Sequence, residues 1–123
     1  MNIIQQSFDF LSINNYQPIN IGNSIIKFTA SGINCLLFWD IKDVSYLKID
    51  ARFELSQFDA TTETMLKKCN RINKERKVIK AHINYDDDVL ILSTEVLLDD
   101  SPEVDSLLGR LISMITTSIL MLA

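Results

Sequence analysis

Apolar residues recur along this chain with two different periods, and each change of period marks the end of one element. Ile4, Phe8 and Leu11 fall at i, i+4 and i+7, with Ile3 and Phe10 beside them, which predicts a helix over residues 2–15. Tyr16-Gln17-Pro18 ends it, because the residue before a proline is pushed out of the helical region. Ile25–Ala30 then alternates, with Ile26, Phe28 and Ala30 on one face and Lys27 and Thr29 on the other. Ser31-Gly32 reads as a turn. The next strand spans Ile33–Ile41: Ile33, Cys35, Leu37, Trp39 and Ile41 share a face, yet Leu36 and Phe38 opposite them are also apolar. A strand apolar on both faces is covered on both, by its own chain or by a partner. Tyr46–Leu55 alternates in turn, with Leu47, Ile49, Ala51, Phe53 and Leu55 one way and a solvated ladder of Lys48, Asp50, Arg52 and Glu54 the other.

The second half begins with a helix start at Asp59-Ala60-Thr61-Thr62-Glu63, with Asp59 or Thr61 as N-cap. Met65, Leu66, Cys69 and Ile72 supply its apolar stripe, and it ends near Lys74. A hairpin around Asp86-Asp87-Asp88 follows. Its first strand points Ile79, Ala81, Ile83 and Tyr85 inward and Lys80, His82 and Asn84 outward. The return strand points Leu90, Leu92, Thr94, Val96 and Leu98 inward, while Val89, Ile91 and Leu97 put apolar surface on the other face. The closing helix is expected to start after Asp100 or Ser101, with Pro102 at its first helical position. Leu108, Leu111, Ile115, Ile119 and Leu122 form one stripe; Leu107, Met114 and Met121 form a second. A helix apolar all round is buried all round, and a second copy of the chain is one way to cover it.

The order α-β-β-β-α-β-β-α over residues 1–123 is that of one α+β domain. It predicts an antiparallel or mixed five-stranded sheet with helices packed on one face. At 123 residues, with 47 % hydrophobic and 23 % charged, the chain can build a core without staples. A net charge of −4 argues against generic nucleic-acid or anionic-membrane binding. The apolar run Leu107–Ala123 reads as a buried helix rather than a membrane anchor. Met1–Gln5 lacks the pattern of a secretory signal, so a cytoplasmic protein with reduced thiols is expected.

Candidate chemistry is sparse. His82, the only histidine, falls on an outer strand face with no nucleophile assigned to it. Cys35 and Cys69 lie on apolar faces, where cysteine behaves as a small hydrophobe. Asp86-Asp87-Asp88 lacks the alternating ligands, glycine and closing glutamate of a calcium loop. The isolated glycines, Gly22, Gly32 and Gly109, make no phosphate loop. No cofactor or metal is expected. Charge is segregated: seven of the 12 Lys and Arg lie between Lys67 and Lys80, and eight of the 16 acids between Asp86 and Asp105. The basic run is either a solvated face or a docking surface.

The stretch Cys69-Asn70-Arg71-Ile72-Asn73, the strand pair around an acidic turn, then Val96-Leu97-Leu98 and a long apolar helix together resemble the YbjN-like family. These are proposed bacterial sensory transduction regulators, and the likeness covers about residues 60–120 by pattern and the rest by element order. Where that family often has a Gly-rich link, this chain has Asp99-Asp100-Ser101-Pro102. The resemblance implies the fold of type III secretion chaperones, which are small acidic cytoplasmic proteins that often dimerise and hold a partner. It carries over no catalytic residues. The expectation is a non-enzymatic, chaperone-like or regulatory protein-binding homodimer. Its interface would comprise Leu36, Phe38, Val89, Ile91, Leu97, Leu107, Met114 and Met121. A small-ligand or signalling domain, with a pocket between sheet and helices, is the alternative.

Overall fold

Six antiparallel strands, in the order β1-β2-β3-β4-β6-β5, form one sheet in the computed structural model, which describes residues 2–123. The elements are α1 (Ile3–Ile13), β1 (Ile19–Asn20), β2 (Ile25–Ala30), β3 (Ile33–Asp40), β4 (Asp43–Glu54), α2 (Thr62–Glu75), β5 (Ile79–Asn84), β6 (Val89–Leu97) and α3 (Val104–Ser118). Short 3-10 turns follow β4 at Leu55–Gln57 and α3 at Ile119–Leu122. The sheet is antiparallel throughout, and a sixth strand joins the five expected from the sequence. That strand, β1, is two residues long and has no alternation to betray it.

Local chemistry sets most boundaries. The Asn2 side chain accepts the Gln5 N–H at 3.0 Å and caps α1, and Thr61 accepts the Thr64 N–H at 3.1 Å and caps α2. Ser31 and Gly32 both have positive φ, 51° and 76°, the backbone of a type I′ hairpin turn joining β2 to β3. Asp40 accepts the Lys42 N–H at 2.9 Å, which turns the chain before Ile41 and leaves that residue exposed instead of on the inner face. Tyr85 also leaves the inner face, because the β5–β6 turn begins there. Leu66 lies at the edge of its helical stripe and is exposed. Pro102 is not the first helical residue of α3. Asp99 accepts the Ser101 N–H at 2.9 Å, so 99–103 bends, and the helix starts at Val104.

The core lies on one side of the sheet. Ile26 and Phe28 of β2, Cys35 and Leu37 of β3, Leu47, Ile49 and Ala51 of β4, and Leu90 and Leu92 of β6 are buried together with the helices. Ile3 and Leu11 come from α1, Met65, Cys69 and Ile72 from α2, and Val104, Leu108, Leu111, Ile112 and Ile115 from α3. By length and composition Val104–Leu122 could cross a membrane. Here it is a core helix, and Lys68 donates to the carbonyls of Leu122 and Ala123 at 3.2 and 3.0 Å. Every helix thus takes the same face, and the odd-numbered positions of β6 and their neighbours are left on the other.

Candidate functional site

Strand alternation and register decide what that second face displays. One row across the sheet runs Ile25, Phe38, Lys48, Glu95; the next runs Lys27, Leu36, Asp50, Ser93, Lys80; a third sets Ile91 between Arg52 and His82. Val89 sits between Glu54 and Asn84, and Leu97 opposite Tyr46. Val89 and Ile91 are buried, yet neither belongs to the core cluster, because only strand neighbours flank them. Leu36 and Phe38 are half-buried, and Leu97 is 77 % exposed. The face is therefore an apolar band with charged residues through and around it, and no helix lies over it.

At its centre is a buried carboxylate. Asp50 is only 6 % exposed and accepts the Ser93 hydroxyl at 2.6 Å. Lys48 Nζ lies 3.7 Å from the same carboxylate and 4.7 Å from the centre of the Phe38 ring. The ladder expected to be solvated is thus solvated only in part: Asp50 has left water. Further along, the Tyr46 hydroxyl donates to Glu95, which Lys80 also approaches at 3.3 Å. That hydrogen bond, then Lys80, holds the Glu95 carboxyl below its ordinary range. Burial first, then the Glu95 bond and charge, pushes Tyr46 up to about 12.

The eight expected interface residues divide. Leu36, Phe38, Val89, Ile91 and Leu97 come together on the open face. Leu107 and Met121 belong to the helical layer, half-buried against the core, and Met114 is half-buried on α3 outside the core cluster. Ile25, Tyr46 and Asp50 join the face although the sequence did not single them out. The signal for Asp50 was its position opposite Leu36, which depends on cross-strand register.

Other candidates find structural places. Cys35 faces the helices and His82 the open side, so the sheet separates them. Burial pushes the Cys35 thiol up to about 12, aided by the Asp50 charge, and burial also raises Cys69. In the acidic turn the Asn84 amide donates to Asp87 at 3.2 Å, and the Asp88 carbonyl accepts the Leu55 N–H at 2.9 Å. No group of three or more His, Cys, Asp or Glu side chains converges among the described residues. Part of the basic run is paired at the surface. Lys67 meets Glu63 at 3.8 Å, Arg71 meets Glu75 at 3.0 Å, and Arg76 bonds Thr117.

No protein family matches the chain by sequence, and no curated protein does. Solved structures do match. YbjN from E. coli superposes with a TM-score of 0.68 at 11 % identity, over 97 % of this chain and 88 % of that one. A chain of the HopA1–SchA chaperone–effector complex matches at 0.67 and 9 % identity, over 98 % and 93 % of the two chains. The chain has the fold of YbjN and of type III secretion chaperones. A chain of the ExoT–SpcS complex from Pseudomonas aeruginosa gives 0.52 at 13 % identity, covering 95 % of this chain and 98 % of that one. Identities this low carry the architecture and not the residues. What the open face of this version of the fold can hold has to come from its own side chains.

Proposed function

We propose that this chain is a non-catalytic, cytoplasmic protein-binding domain, chaperone-like or regulatory, that works as a homodimer and holds a partner polypeptide against the open face of its sheet. One observation carries the reading: Leu36, Phe38, Val89, Ile91 and Leu97 share a sheet face that no helix of the chain covers. Antiparallel sheets with one wet face normally fill it with polar side chains. An apolar band there marks a surface that meets another molecule. Covering Leu97 alone would contribute about 1.5 kcal/mol from apolar burial. The fold supports the same reading, since solved relatives of this shape include chains of a chaperone–effector complex. The proposal rests on the five open-face residues. Leu107 and Met121 already have partners in the core.

Capture from native cells, followed by mass spectrometry, tests it. The unmodified chain should retain a defined protein, and Leu97→Asp and Leu36→Ser should each lose it, the first at an unchanged thermal midpoint and the second at a modestly lower one. Leu97 is exposed, so its substitution leaves the fold intact. Undiminished capture by both variants would refute the assignment of this face. Sedimentation at micromolar concentration tests the dimer separately; a monomer there would refute that part.

A further inference from the structure

A second concave site lies beside the open face, at the end of the molecule where the N-terminus of α1, the β1–β2 loop and the end of β3 meet. It has a volume of about 810 Å³, within the range of small-molecule sites. Its polar lining residues are Asn20, Asn23, Ser24 and Asn2, whose Oδ1 is already taken by the Gln5 N–H at 3.0 Å. Ile4, Trp39 and Ile41 supply carbon surface. The Trp39 indole N–H is already used, donating to the Val44 carbonyl at 3.0 Å, so this ring offers a ligand only its carbon edge.

Charge sets this cleft apart. Four other clefts, of about 300 to 420 Å³, each include an acidic side chain: Asp9, Glu95, Asp99 or Asp40. In a chain that is 23 % charged, this larger one has no charged lining residue among the described residues. A carboxamide both donates and accepts, and so does a hydroxyl. Such a lining matches a ligand whose own groups also do both and which brings no charge needing a counter-ion. Isoleucine and indole carbons beside it match the C–H surface between such groups.

We infer that this cleft binds a neutral polyhydroxylated small molecule of the sugar class, with Asn20 and Asn23 as its principal hydrogen-bonding residues. The cleft uses none of the five apolar residues of the partner-binding face, so sugar titration and partner capture can fail separately. Titration of isotope-labelled protein with maltose tests it, following the side-chain amide signals of Asn20 and Asn23 and the Trp39 indole by NMR. Glucosamine and glucuronate serve as positively and negatively charged comparators. Saturable shifts with maltose are expected, with Kd on the order of 1 mM. Weakening of about tenfold is expected in Asn23→Asp and Ile41→Asp, at two exposed positions where the fold tolerates change. Three results would overturn the proposal: no saturable shift up to about 100 mM maltose, equal or tighter binding of a charged sugar, or unchanged titrations in both variants.

Discussion

Asn73 of α2 grips the backbone of Ala81 with both ends of its carboxamide: Nδ2 donates to the Ala81 carbonyl at 3.0 Å, and Oδ1 accepts the Ala81 N–H at 2.7 Å. Ala81 lies on β5, an edge strand of the sheet. An unpaired edge is a template for unwanted strand pairing, and this clamp blunts it while pinning α2 against the sheet. Asn73→Ala should cost about 1–2 kcal/mol in urea unfolding, from two part-buried hydrogen bonds. It should also aggregate more readily. Asn73→Asp keeps the acceptor and loses the donor, so it should fall between the two.

The Asp50–Ser93 pair should behave as a unit. Asp50 is buried on a face with no helix above it, and Ser93 supplies its shortest contact. Asp50→Ala leaves Lys48 without its carboxylate, so a loss of about 2 kcal/mol is expected. Ser93→Ala should cost less. The double variant should be about 1 kcal/mol more stable than the sum of the singles implies. Strict additivity in a denaturant cycle would show that the contact contributes nothing.

Stability should fall at both ends of the pH scale, through Tyr46 and Glu95 on the open face and Cys35 in the core. Tyr46 rises from 10.0 to about 12 and Cys35 from 9.0 to about 12. A raised acid favours the folded state while protonated, so this contribution is full below pH 9 and is lost as pH climbs toward 12. Glu95 is lowered from 4.5, so its contribution is present above that pH and is lost as pH falls through the depressed value. Tyr46→Phe should remove one part of the alkaline limb and, by NMR titration, return Glu95 toward 4.5. An unchanged Glu95 titration would show that the Tyr46 bond is not what lowers it.

Val78, just before β5, holds φ at +70°, a left-handed conformation that a β-branched side chain enters only at a cost. Its side chain is exposed, so little packing offsets that cost. Val78→Gly should stabilise the chain by about 1 kcal/mol in chemical unfolding. Destabilisation would mean that the valine side chain contributes more than its backbone costs.

Much of this architecture was legible because the strands alternate strongly. Ile26, Phe28 and Ala30, or Leu47, Ile49 and Ala51, admit one inward face only. The doubly apolar strands were legible because Leu36, Phe38, Val89, Ile91 and Leu97 interrupt that alternation with apolar residues where the outer face calls for polar ones. β1 was not legible, since two residues have no period. The start of α3 was misplaced because the Asp99 turn competes with Pro102 for the same backbone. Asp50 was read as solvated because burial of a strand carboxylate depends on what lies across from it. Here that is Leu36 and Ser93, from strands distant in sequence. The second stripe of the last helix was legible as apolar but not as intramolecular. Leu107 and Met121 find the core through sheet packing that no spacing encodes.

The most direct test of the open face as the partner site is a photo-cross-linking residue placed at Phe38, with a second at Lys74 on the helical side, each irradiated in native cells. Phe38 lies in the apolar band beneath Lys48, while Lys74 is exposed on α2 across the sheet. The expected result is a discrete protein adduct from position 38 and none from position 74. Adducts from position 74 alone, or from neither position, would contradict the assignment.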